Sequence, residues 1–199
     1  MRPISSIVWT ILLAWLVVSP ALAAERRKEP RQITGLAEPI PSPDGRFELF
    51  YRKDDTKGKP PDYYPDHEIW IRSKMDPAKS VLVYSYGRGA DVLWSPDSKM
   101  VAITDFAGSS ESYVVIFRIS PQLVLEAIPE VEPFIESHEK QMLPAYDHFY
   151  AEVVRWSEDS KSLTINLRGD FTEWDLAQTE RRTQDVEKQV IFKIRETKD

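Results

Sequence analysis

The apolar residues fall into patterns that differ along the chain. Met100 to Ile103 and Tyr113 to Phe117 are continuous apolar runs, as expected of strands buried on both faces. Leu163, Ile165 and Leu167 instead alternate with Thr164, Asn166 and Arg168, so one face meets a core and the other meets water. Phe47, Leu49 and Tyr51, opposed by Glu48, Phe50 and Arg52, lean the same way. The pattern therefore predicts a middle sheet lying between two outer ones. Between the second and third groups, Val131, Phe134, Ile135, His138 and Met142 recur at helical spacing, while Glu130, Glu132, Glu136 and Glu139 fall mostly elsewhere. A short amphipathic helix within 129–143 is the expected result.

A polar turn recurs in front of these strands. Ser42-Pro43-Asp44-Gly45-Arg46 is echoed by Ser95-Pro96-Asp97-Ser98-Lys99 and by Ser157-Glu158-Asp159-Ser160-Lys161, and the later two follow Trp94 and Trp156. Proline presets the first central position of a type I turn, aspartate follows, and Gly45 suits a left-handed backbone. Ser98 and Ser160 stand where Gly45 does, so the later turns are expected to be less well determined. A Trp-Ser-Pro-Asp-(Gly/Ser)-Lys turn between two strands resembles the blade repeat of TolB-type β-propellers. The resemblance covers most of residues 38–195, and it implies an all-β fold of three propeller-type, four-stranded antiparallel sheets. The first would use strands near 37–41, 46–52, 67–73 and 80–86. The second would use 90–94, 99–105, 112–119 and 122–127, and the third 151–156, 161–168, 171–176 and 187–195. Complete propellers have four or more blades, so three copies imply an open or incomplete propeller. Propellers host many unrelated activities, and the resemblance names no function.

The first residues read as a targeting segment. Arg2 precedes the largely apolar run Ile7–Val18, Ser19-Pro20 breaks it, and Ala21-Leu22-Ala23 offers small residues to a signal peptidase. The expected organisation is a signal peptide over 1–23, an extension over 24–36 and a β domain over 37–199. The mature chain would be periplasmic or extracellular, with no membrane contact after cleavage. The alternative is an uncleaved N-terminal anchor, favoured by Arg26-Arg27-Lys28 just beyond the apolar run. Having no cysteine, the chain has no disulfide, thiolate site or cysteine nucleophile. A net charge of −6 with no basic block argues against a nucleic-acid partner.

No residue spacing announces catalysis. His67, His138 and His148 form no zinc-protease pair, no calcium loop is present, and Ser109 and Ser110 lack a nucleophile elbow. No cofactor, metal or catalytic residue is expected. In a propeller, loops joining second to third strands share one face with the loops between blades. That face would receive Tyr63, Tyr64, Arg88, Asp105, Phe106, Tyr146, Asp147, His148, Arg168 and Asp170, and aromatics with arginine are the residues that anchor binding. The expected function is an exported, non-catalytic module binding a protein, peptide or glycan. One alternative is an extracytoplasmic hydrolase using the Asp147/His148 region, for which Asp105, Asp147, His148 and Asp170 would have to converge. The other is a structural part of an envelope assembly.

Overall fold

The computed structural model describes residues 28–53, 67–142, 147–175 and 180–195. Tyr63, Tyr64, Tyr146 and the expected signal peptide lie outside them. The described chain is mostly β, with one helix. A four-stranded antiparallel sheet runs in the order β2 (Ile40–Pro41), β3 (Phe47–Lys53), β4 (His67–Ser73), β5 (Ser80–Tyr86). The remaining strands are β1 (Arg31–Gln32), β6 (Ala90–Trp94), β7 (Met100–Asp105), β8 (Glu111–Ile119), β9 (Leu125–Ala127), β10 (His148–Trp156), β11 (Ser162–Asp175) and β12 (Glu180–Lys193). They form one open sheet, β1-β6-β7-β8-β10-β11-β12, with β9 also paired to β8.

That sheet forks at β8. Its far end, Phe117–Ile119, pairs with β9, while Glu111 and Ser112 make a short parallel contact with Phe149 and Tyr150 of β10. Between the two branches the Ile116 carbonyl accepts the Ile128 N–H at 2.9 Å. The helix α1 (Val131–Met142) crosses nearby, burying Val131 and Ile135. Its Phe134 ring meets Phe192 of β12 edge-on at 5.2 Å.

Two hydrophobic cores meet on β6 and β7, and this explains the continuous apolar runs. Leu93, Met100 and Ala102 join Leu163, Ile165 and Leu167 on one side. Val92, Val101 and Ile103 join Leu49, Ile69 and Ile71 on the other. Every residue of β7 is buried, as a strand covered on both faces requires. The middle position expected for this segment is observed. Outward, the first sheet carries a Glu48–Arg72 ion pair at 2.6 Å and Arg52 over the Trp70 ring at 5.1 Å.

The three turns form a ladder. In each, the serine hydroxyl hydrogen-bonds the aspartate two residues on, at 2.6–2.7 Å (Ser42–Asp44, Ser95–Asp97, Ser157–Asp159). Gly45, Ser98 and Ser160 all have positive φ, at 74°, 63° and 60°. The serines are there for a reason the turn type alone does not supply. The Asp44 N–H donates to Ser98 Oγ at 3.0 Å, and the Asp97 N–H donates to Ser160 Oγ at 3.1 Å. Likewise the Trp94 indole donates to the Ile40 carbonyl at 3.3 Å and that of Trp156 to the Leu93 carbonyl at 3.2 Å. Each copy is thus tied to the one before it, and the later turns are not the loosely determined ones expected.

Other expectations need correction. The expected strands 161–168 and 171–176 are one strand, β11, whose pairing with β12 runs unbroken from Ser162–Lys193 to Asp175–Glu180. The last copy therefore has three strands, and it is bridged to the second rather than forming a separate four-stranded sheet. Gly169-Asp170 reads as a turn in sequence, but both residues sit in register between Phe149 or His148 and β12. The Gln32–Thr34 segment, within the expected extension over 24–36, joins the sheet at β6. Arg31 and Gln32 pair with Val92 and Asp91 of β6, the Ile33 N–H donates to the Ala90 carbonyl at 3.0 Å, and Ile33 is fully buried. The free edge of β6 needed a partner, and this segment supplies it.

Candidate functional site

Alternation along β10 buries Ala151 and Val153 in the core and turns His148, Tyr150 and Glu152 to the opposite face. Register sets Asp170, Arg168 and Asn166 of β11 beside them, then Asp185, Glu187 and Gln189 of β12. The outcome is a polar, water-facing sheet surface, as the alternation of Leu163–Arg168 requires.

This surface is organised around one ring. The Tyr150 hydroxyl donates to the Ser109 carbonyl at 2.6 Å, and the Arg168 guanidinium lies 4.9 Å from the Tyr150 ring centre. Arg168 is also 3.6 Å from Glu152. His148 stands parallel to Tyr150, ring planes 4° apart and centres 6.4 Å apart. Its Nδ1 is 2.7 Å from Asp170 Oδ1, with the two side chains 41% and 27% exposed. Asn166 donates to Glu187 at 2.7 Å. A shallow hollow of about 570 Å³ is lined by Tyr150, Arg168, Asp170, Asp185 and Glu187.

Chemically the surface is rich in acceptors. Carboxylates outnumber cations around Arg168, so donors such as hydroxyls or amines are the groups it can hold. Asp170 fixes the orientation of the His148 imidazole and leaves Nε2 without a hydrogen-bond partner among the described residues. Among the described residues no Ser or Thr hydroxyl is hydrogen-bonded to His148. Among the described residues no group of three or more His, Asp or Glu is placed to hold a metal ion.

Of the sequence candidates, His148, Arg168 and Asp170 share this face, and Asp147 adjoins it, its N–H donating to the Asp170 carbonyl at 2.9 Å. Asp105 does not join them. It is buried on the side of β7 facing the first sheet, where its Oδ2 accepts from the Tyr84 hydroxyl at 2.9 Å and its Oδ1 has no partner among the described residues. Burial raises the Asp105 carboxyl above its ordinary pKa, against the lowering effect of the Tyr84 bond. Burial and the Asp105 charge together push the Tyr84 hydroxyl upward. Phe106 is half-buried beside Gly89, whose carbonyl takes its N–H at 2.9 Å, and Arg88 is exposed in the turn between β5 and β6. The convergence that the hydrolase alternative would need does not include Asp105, because β7 turns it to the other core. Sequence reasoning missed Tyr150, Glu152, Asp185 and Glu187. The signal was available in part: once His148 opens a strand, Tyr150 and Glu152 follow on its face.

No helix among the described residues is long and apolar enough to cross a membrane. Comparison with protein-family models, with curated proteins and with solved structures finds no match.

Proposed function

We propose that this chain is an exported, non-catalytic binding module of incomplete-propeller type, its three turn-strand copies corresponding to blades, and that it holds a protein, peptide or glycan ligand on the outward face of β10–β12. The observation that carries this reading is the Tyr150–Arg168 pair, an aromatic ring and a guanidinium held together on a solvent-facing sheet. Ring and guanidinium are fixed by Ser109 and Glu152, so little freedom remains to be lost on binding. The surrounding carboxylates select ligands that bring hydrogen-bond donors. Tyr150→Ala and Arg168→Ala should each weaken binding by about 2 kcal/mol, roughly thirtyfold, if they are anchoring residues. Glycan and peptide arrays, followed by titration of whatever is retained, supply the measurement. Unchanged affinity in both variants would remove this face from consideration.

The His148–Asp170 pair favours a second reading, a hydrolase in which His148 activates water. Turnover of ester, glycoside or peptide substrates that His148→Ala abolishes would establish it. Turnover unaffected by His148→Ala, or none at all, leaves the binding reading standing.

A further inference from the structure

One end of the molecule carries the three ladder turns and two further hairpin tips. Backbone bonds tie this end together: the Lys74 N–H donates to the Arg46 carbonyl at 2.9 Å, the Ile119 N–H to that of Lys99 at 2.8 Å, and the Ile194 N–H to that of Lys161 at 2.9 Å. The two most exposed large apolar side chains among the described residues stand at the tips, Met75 at 90% and Val124 at 64% exposure. A single exposed apolar residue is ordinary, but these tips are built alike. Between β4 and β5, the Ser73 hydroxyl accepts the Met75 and Asp76 N–H groups at 3.2 and 3.3 Å. Between β8 and β9, the Ser120 hydroxyl accepts the Gln122 and Val124 N–H groups at 3.2 and 3.0 Å, and the Ser120 carbonyl takes the Leu123 N–H at 3.0 Å. Pro77 and Pro121 have no N–H to satisfy. Leu123 holds a φ of 63°, costly for a bulky residue, and is buried while Val124 stands out. Tips that present an apolar side chain with these backbone donors already satisfied lose little on leaving water.

Charge at this end runs against the net −6 of the chain. Lys74 and Lys79 flank Met75, against Asp76. A hollow of about 650 Å³ that reaches Ser120 sets Lys99, Arg118, Lys161 and Arg195 against Glu126 and two aspartates. Those two, Asp97 and Asp159, each accept a serine hydroxyl and a lysine N–H within their turns. Arg46 is paired with Asp44 and Lys28 with Glu158, and Lys193 offsets Glu29. The N-terminal approach is at this end too. β1 runs antiparallel to β6, which leads into the second turn, and Lys28 lies 4.0 Å from Glu158 of the third. In sequence, Arg26-Arg27 and the apolar run Ile7–Val18 come before Lys28. We propose that this end docks on an anionic lipid bilayer, Met75 and Val124 entering the headgroup region while the surrounding lysines and arginines meet lipid phosphates. Cations near an anionic leaflet add attraction, and long basic side chains keep their charge at phosphate level while apolar neighbours go deeper. The contact forms whether the N-terminal run is removed or kept, and it departs from the expectation of no membrane contact after cleavage. It is independent of the β10–β12 face, so either can fail alone.

The chain has no cysteine, so a single introduced one can carry an NBD fluorophore. Met75→Cys and Val124→Cys place it at the tips, and Arg88→Cys places it in the turn between β5 and β6 at the opposite end. All three positions are exposed, so labelling spares the core, and circular dichroism checks the fold. The probe is a vesicle of phosphatidylcholine with about one-third phosphatidylglycerol, added to the full chain. Blue-shifted emission is expected at both tips and not at position 88. At a fixed lipid concentration below saturation, the shifted fraction at position 124 should fall about fivefold or more in Lys74→Gln/Lys79→Gln, and likewise in vesicles of phosphatidylcholine alone. Three results would overturn the proposal: a shift at neither tip or at only one, an equal shift at position 88, or a shift unaltered by the lysine substitutions or by removing the anionic lipid.

Discussion

Ser98 and Ser160 pose a conflict that single side chains resolve. A non-glycine residue in the left-handed region costs on the order of 1 kcal/mol, and Gly45 avoids that cost. Yet Ser98 Oγ, nearly inaccessible to solvent, accepts the Asp44 N–H, and an orphaned buried donor costs about 1–3 kcal/mol. Ser98→Ala loses the bond and keeps the strain, so it should destabilise by roughly 1–3 kcal/mol. Ser98→Gly loses the bond but relieves the strain, and should fall between parent and alanine in urea unfolding. If alanine proves as stable as serine, the ladder contributes nothing. Asp105 gives a pH-dependent counterpart. Its carboxyl is raised in the folded chain, so the native state binds the proton more tightly than the unfolded one. Stability is then highest below the ordinary carboxylate pKa and falls as pH rises through the raised value. Asp105→Asn should flatten that fall in melting temperature between pH 4 and 7, and an unchanged slope would assign it to other groups.

At the scale of elements, legibility followed periodicity. The runs of β7 and the alternation of β11 were readable because each carries several apolar residues in one pattern, and α1 because its apolar residues repeat each turn. The ladder's turns were legible as turns, but their serine-to-backbone links were not, since those join residues more than fifty positions apart. The site was half legible for the same reason. His148, Arg168 and Asp170 stood out as chemistry-bearing residues, while the partners β12 adds depend on a hairpin register hidden behind Gly169-Asp170. The β1 segment was misread because a two-residue strand has no period to detect. Its weight lies in Ile33, fully buried between the first sheet and β6. Ile33→Ala alone should cost about 2–5 kcal/mol, and deletion of residues 24–34 should cost more by baring the β6 edge. Chemical denaturation of both variants tests this, and a midpoint like the parent's would show β1 to be dispensable.

At the scale of the whole molecule, the two cores share their central strands. Ile103 belongs to the core with Leu49 and Ile71, while Ala102, its neighbour, belongs to the core with Leu163 and Ile165. A strand cannot keep one face ordered while the other melts, because both faces hang on the same backbone hydrogen bonds to β6 and β8. The turn ladder and the paired indoles add ties across both junctions. The described chain should therefore unfold as one cooperative unit, unlike a row of independent repeats whose stability is a sum of neighbouring terms. Native-state amide exchange measures this directly. The amides of Ile71 in β4 and Ile165 in β11, one in each outer unit, should exchange with the same free energy. Ile103→Ala touches only the first core, and should remove about 2–5 kcal/mol from both amides. If Ile71 loses protection while Ile165 keeps it, the third unit stands without the first. The shared strand would then join separable pieces rather than one domain.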